Sequence, residues 1–381
     1  MDPSATFCPQ LACPDKGLMG QGNIRLHSQR ARRYRCTTCG HTFAATMNTP
    51  FYRLHHAPAL MTLVLTLLVH GCPPAAIVAA FGLDERTVRA WLGRGGAHAA
   101  LLHDQLTGAA RVAARQVQAD EIRVRVRGGA VWAAVALAVD SRFWLATAVA
   151  RRRDGWLVHL LLRRVLSALD GRAFLLAVDG FGAYVTAARA LVRVPHRTGR
   201  RGRPCLVWPA GFALVQVVKA GMQRGDGIVR RVVSGTEGTV AAALAASHGG
   251  VSINTAYIER LNATLREHLA TLVRRRRAPA QGAAVVEDGL HLLRLAYNWC
   301  WAHESLRVRA IGTRHRYLER TPAMAAGLAD RPYTLGQLLR TPTPPVPRAT
   351  PAPARRGRPA SRGRLLPFPR LSSRPPRHST A

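Results

Sequence analysis

Acids are scarce in this chain: 20 aspartates and glutamates stand against 55 basic residues. The position of each acid therefore carries information. Glu259 lies in "INTAYIERLNATLREHLATLVRRRR", an amphipathic helical pattern closed by Arg274, Arg275, Arg276 and Arg277, which with Arg266 would counter phosphate charge along a DNA path. Asp120 opens the alternating segment "ADEIRVRV", and Asp179 ends the apolar run "LLAVDG". Taken singly, each has a plain structural reading, as a helix-start charge near the macrodipole or as a turn aspartate after a strand. Taken together, three carboxylates can hold two magnesium or manganese ions about 4 Å apart, with water completing the octahedral positions. Such a pair clamps the attacking and leaving oxygens of a phosphodiester. Glu121 is the weaker candidate, because neighbouring strand residues point to opposite faces.

A second constellation is Cys8, Cys13, Cys36 and Cys39, spaced C-x4-C and C-x2-C, with Gly40 after the second pair. Four thiolates make a closed tetrahedral zinc site, structural rather than catalytic. A metal-free thiol cluster and disulfides are the alternatives. Cys300 and His303 in "YNWCWAHESL" lack a second pair nearby, and Tyr297, Trp299 and Trp301 around them read as core.

The elements that must position these residues follow from periodicity. Residues 59–69 read as a buried apolar helix, and "APALMTLVLTLLV" is too short to cross a bilayer. "AAIVAAFGLDERTVRAWL" reads as two short helices joined at Gly82-Leu83. Ala79 and Ala80 allow a close crossing, Asp84 caps the second helix, and Val88 and Leu92 face inward. Arg86, Thr87, Arg89 and Arg94 then point outward, the pattern of a helix-turn-helix whose second helix enters the major groove. An ordinary helical hairpin is the alternative. Next come three antiparallel strands (119–126, 131–139, 143–150), a helix (155–168), the strand ending on Asp179, and a short helix. That order is the one of a ribonuclease H-like α/β fold, in which acids from central strands and a later helix converge. On the Glu259 helix, Asn262 and Arg266 share the face of the glutamate, while Leu261, Leu265, Leu269 and Leu272 pack on the sheet. The chain between Asp179 and Glu259 looks like an inserted β segment at about 195–250. Asp226 in it is rejected as the second acid, because "QRGDGIV" is a turn.

A formal net charge of +35, almost all arginine, suits a polyanionic partner, most simply nucleic acid, and fits a small-molecule metabolic enzyme poorly. No secretory signal is visible at the N-terminus, so the expectation is a soluble cytoplasmic protein, associated with the nucleoid, with no membrane partner. From Thr341 onward nine arginines, many prolines and no acids predict disorder. "RRGRPAS" and "RRGRPC" are similar to minor-groove hooks, with nonspecific phosphate binding as the plainer reading.

"RYRCTTCGHTFAATMNTPFYRL", "AVDGFGAYVTA", "NTAYIERLNATLREHLATLVRRRRA", "YNWCWAHESLR" and "RTPAMAAGLADRPYTLGQLL" resemble, in order, the DDE transposases of bacterial insertion sequences. The closest subgroup carries a zinc ribbon and a helix-turn-helix and is related to the first insertion sequence described. The resemblance covers about residues 8–340. It implies a zinc ribbon (1–54), a helix-turn-helix (57–98), a catalytic domain (115–310), a C-terminal segment (311–340) and a tail (341–381). It also implies that Asp120, Asp179 and Glu259 are the catalytic triad. Nicking would expose a 3′-hydroxyl that attacks target DNA, with multimers acting on paired double-stranded ends. The long spacing from Asp179 to Glu259 departs from many relatives, and so does the missing aromatic after Asp120. A DNA-binding protein without catalysis and a different ribonuclease H-like nuclease are the competing readings.

Overall fold

The computed structural model describes residues 2–344, apart from 109, 198, 200–201, 220–226, 248, 251, 270–279 and 311–315. The expectations for Asp226, Leu272, Arg274–Arg277 and most of the tail lie outside these residues. So do two residues of "RRGRPC".

The first 45 residues form a three-stranded antiparallel sheet, β1 (Ile24–Ser28), β2 (Arg33–Cys36) and β3 (Thr42–Ala44). Tyr34 and Phe43 are buried with Ile24 and three of the cysteines in a small core of their own. Helix α1 (Pro58–Val69) follows, burying Met61, Val64, Leu65, Leu68 and Val69. The short α2 (Pro74–Phe81) ends at Gly82 in the left-handed conformation.

Helix α3 (Glu85–Gly108) is 24 residues long, well beyond the short helix read from the sequence. Asp84 accepts from the Arg86 amide at 2.7 Å and so starts the helix, and Val88 is buried as expected. The close crossing is not at Ala79 and Ala80, which are exposed. It lies at Gly96, where a Cβ would come within 2.5 Å of the Asp288 backbone. Leaving out that carbon lets α3 pack directly on a late helix of the sheet domain.

The central sheet is built from β4 (Gln116–Val126), β5 (Gly129–Ala138), β6 (Trp144–Ala150), β7 (Leu175–Asp179), β10 (Ala213–Lys219) and β11 (Ile228–Ser234). Its order is β11-β10-β7-β4-β5-β6. β4, β5 and β6 form an antiparallel meander, while β4–β7 and β7–β10 are parallel. The meander, the helix α4 (Gly155–Ala168), β7 and the helix α5 (Gly182–Leu191) match the elements expected from periodicity. Runs buried on both faces of the meander, such as Ala133–Ala138 on β5 and Trp144–Ala148 on β6, and the stripe Leu157, Val158, Leu161, Leu162 and Val165 on α4 carry the packing. Asp154 caps α4 by accepting from the Leu157 amide at 3.1 Å.

The segment read as an insertion supplies two strands of this sheet, β10 and β11, while among the described residues the small hairpin β8 (Val194–His196) with β9 (Cys205–Val207) forms a separate two-stranded sheet. β10 is a core strand: Leu214 and Val215 are fully buried, and Ala213–Val217 pair in register with Leu175–Asp179. Helices α6 (Glu237–Ser247), α7 (Ala256–His268) and α8 (Ala283–Trp299) complete the layers, with short α9 (Pro322–Ala325) and α10 (Leu335–Arg340) after them. The Asn298 side chain on α8 accepts from the Trp144 amide at 2.9 Å and donates to the Trp144 carbonyl at 3.0 Å, tying α8 to β6. Among the described residues no helix is long and apolar enough to cross a membrane.

Candidate functional site

The parallel pairing of β4 with β7 runs Gln116↔Leu175, Val117↔Leu176 and Gln118↔Ala177, then stops. Two residues further along the same register, Asp120 stands level with Asp179. The two acids thus sit where the strands separate, at the carboxyl end of β7. Helix α7 closes this notch. Gln118 donates to the Asn254 carbonyl at 2.8 Å and accepts from the Ile258 amide at 2.9 Å, so the start of α7 is tied to β4 two residues before Asp120. Ile258, Leu261 and Leu265 are buried beneath the helix, which leaves Glu259 on the open side.

Asp120, Asp179 and Glu259 line one pocket of about 330 Å³ with Ala119, Gly180, Val217, Val218 and Thr255. Asp120 accepts from the Asn262 side chain at 2.7 Å and from the Glu121 amide at 2.8 Å. Asn262 is therefore on the Glu259 face as expected, and it orients the first acid. Asp179 accepts from the Phe181 amide at 2.9 Å, and Thr255 donates to Glu259 at 3.3 Å. Burial, with the nearby charges of Asp179 and Glu259, lifts the Asp120 carboxyl above the ordinary aspartate range, although the Glu121 amide opposes this.

Glu121 is not simply turned away. The carboxylates of Asp120, Glu121 and Asp179 come within 4.8 Å of one another. Alternation along β4 does hold: Gln116, Gln118 and Asp120 meet α6 and α7, while Glu121 lies on the opposite face near Tyr184 of α5. That face is covered by protein rather than solvent, and Arg153 reaches across the open strand end. Arg153 donates to Glu121 at 2.8 Å and to Asp179 at 2.6 Å. Its guanidinium carbon lies 4.3 Å from the centre of the Phe181 ring and 5.6 Å from that of Trp132. Burial raises the Glu121 carboxyl, against the stabilising pull of Tyr184 and Arg153. Tyr184 Oη and Glu121 Oε1 are both buried and make no hydrogen bond of normal geometry, so the tyrosine acts on Glu121 through proximity. Sequence reading missed Arg153; the run Arg151-Arg152-Arg153 holds no mark of which arginine turns inward.

Among the described residues the close acidic group is Asp120, Glu121 and Asp179; Glu259 lines the same pocket but is not part of that group. Each carboxylate oxygen of Asp120 and Asp179 spends one lone pair on a protein donor and keeps another. In the ribbon, Cys8 and Cys39 sulfurs are 3.5 Å apart and those of Cys13 and Cys36 are 3.9 Å apart. A tetrahedron with zinc–sulfur bonds of about 2.3 Å has edges of about 3.8 Å. All four sulfurs lie within 4.8 Å of one another. Gly40 turns the second knuckle at φ 72°, a conformation that favours glycine, and its amide donates to the Cys36 carbonyl at 2.9 Å. Against burial, the backbone amides of Cys39 and Thr38 bring the Cys36 thiol down to about 7. The cluster could hold zinc, and the carboxylates could hold a divalent cation.

The residues expected to meet nucleic acid fare differently. Arg86 is exposed and 3.6 Å from Asp84, and Arg89 pairs with Glu85 at 2.8 Å. Thr87 is half-buried. Arg94 does not point outward; its guanidinium donates to the Tyr52 carbonyl, tying α3 to the chain before α1. Arg266 lies half-buried on α7. Cys300 and His303 join no group of metal-ligating residues among the described residues, and burial raises the Cys300 thiol to about 12. A scan against models of known protein families finds no match for the chain, and a search of curated proteins finds none either.

Proposed function

We propose that the chain is a DDE-type DNA transposase, which binds the ends of an insertion sequence, nicks them and joins the freed 3′-hydroxyl to target DNA. The observation that carries this reading is that Asp120 and Asp179, on adjacent strands, stand close together while Glu259, on a later helix, lines the same pocket. The sheet order supports a ribonuclease H-like catalytic fold: an antiparallel meander continued beyond its first strand by two parallel ones, with acids on the two central strands β4 and β7. The charge of +35 supports a nucleic-acid substrate.

Asp120, Asp179 and Glu259 would hold magnesium or manganese, which when bound supplies the positive charge that stabilises the attacking and leaving oxygens of a phosphodiester. The chain's own part is positioning. Asn262 fixes the Asp120 carboxylate, the Phe181 amide and Arg153 fix Asp179, and the Gln118 bonds to the start of α7 set the height of Glu259. The cysteine cluster would hold a structural zinc. The ribbon, with α2 and α3 as a helix-turn-helix, would present Arg86, Thr87 and Arg89 to the transposon end. Homo-oligomers on paired ends fit the same reading.

The test is to incubate the protein with its own gene and flanking DNA in magnesium and to sequence the products. Nicks at fixed ends leaving 3′-hydroxyls, and strands joined to new sites, are the expected result, lost on chelation. Random nicking without joining would favour a nuclease instead.

A further inference from the structure

Helix α7 has a second occupied flank. Thr255 and Glu259 face the acidic pocket, whereas Tyr257, Arg260, Leu261 and Thr264 line a separate cavity of about 400 Å³. This cavity is basic. Arg142, in the tight turn between β5 and β6 at φ 57°, lays its guanidinium 4.0 Å from the centre of the Tyr257 ring. Arg260 is exposed and its guanidinium makes no ion pair among the described residues. Arg307 stands at the rim, 3.1 Å from Glu304. Three guanidiniums against one carboxylate leave two positive charges in excess.

The wall behind them is built to accept a polar guest. His303 Nε2 is buried without a hydrogen-bond partner, and its ring packs 4.5 Å from that of Tyr297. Burial, then Arg142 and Arg260, push this histidine down to about 4, so at neutral pH it adds polarity without charge. Guanidiniums are the groups best shaped to grip phosphate oxygens, and Tyr257 keeps one of them flat and fixed.

We propose that this cavity binds a backbone phosphate of a nucleic-acid strand whose reacting phosphodiester, a few nucleotides away, lies at the carboxylates. The proposal rests on the transposase reading for the identity of the strand. A helix is about 10 Å across with its side chains, roughly three nucleotide steps along one strand. The cavity would thus hold the strand a few nucleotides from the reacting bond.

Full-length wild type and Arg260→Gln should be compared for affinity to the flanking DNA across a salt series, with inorganic phosphate tested alone by calorimetry. Arg260→Gln should weaken binding several-fold, equally for unrelated sequences, and reduce the salt slope by about 1. Arg260→Lys should restore much of the slope, and equal melting temperatures would show that the fold is intact. An unchanged slope and affinity would overturn the proposal. Binding of inorganic phosphate lost in Arg260→Gln, with an unchanged DNA slope, would also overturn it and identify a free-anion site. Wild type that binds DNA with the arginine-dependent slope but joins no strands would sink the transposase reading and leave the phosphate site standing. Wild type that joins strands while Arg260→Gln binds unchanged would do the reverse.

Discussion

Glu121 has no exposed side-chain surface, yet its partner Arg153 is one-third exposed and also holds Asp179. A buried carboxylate that loses its cation keeps its desolvation cost, and breaking such a pair from one side costs about 3 kcal/mol. Arg153→Ala should therefore lower stability by about that much and release Asp179 from one of its fixed contacts. Adding Glu121→Gln to Arg153→Ala should recover part of the loss, because no buried charge then lacks a partner. Thermal melts of the two single variants and the double check this. Additive losses would mean that the pair is not coupled. This network was half legible in the sequence. Alternation places Glu121 opposite Asp120, and it is opposite. What alternation does not encode is that the far face is closed by Tyr184 and that an arginine 32 residues later bridges the end of the strand.

Between elements, the junction of α3 and α8 is the feature the sequence concealed most. Gly93, Gly95 and Gly96 lie inside α3, where glycine lowers helix propensity. In the fold Gly96 allows α8 to approach, and the helix continues to Gly108. Asp288 stands at this crossing, its carboxylate 3.5 Å from where a Cβ on Gly93 would be. Burial, then the charge of Glu287, raise the Asp288 carboxyl to about 6 from 3.8. The folded state therefore holds a proton there that the unfolded chain has released. The stabilisation is fully present below 3.8 and is lost as pH rises through about 6. Asp288→Asn should flatten the pH dependence of the melting temperature between pH 4 and pH 7 and should melt higher than wild type at pH 7. Parallel pH profiles of the two proteins test this, and identical slopes would contradict it. By contrast, the meander, α4 and β7 were readable, because alternation and a helical stripe are local signals. β structure in the 195–250 segment was read, but the place of β10 beside β7 was not, because pairing between distant segments leaves no local period.

At the scale of the whole molecule, three parts with different signals are joined: a small three-stranded sheet with a cysteine cluster, a helical unit running into the core through α3, and a six-stranded sheet with acids on its central strands. The closeness of Asp120 to Asp179 was legible because each belongs to a recognisable strand, whereas the approach of Glu121 to both was not. The ribbon cysteines were found from spacing alone. The central claim is that Asp120, Asp179 and Glu259 together perform metal-dependent transfer on DNA. The most direct measurement compares wild type with Glu259→Gln on the native gene and its flanking DNA in magnesium, scoring nicked and strand-joined products beside a gel shift. The substitution removes one carboxylate charge while leaving the buried face of α7 untouched. Products from wild type only, with equal DNA binding by both proteins, are the expected result. Equal product yields from both would contradict it. Binding by both with products from neither would contradict it as well, and would leave a DNA-binding protein without catalysis.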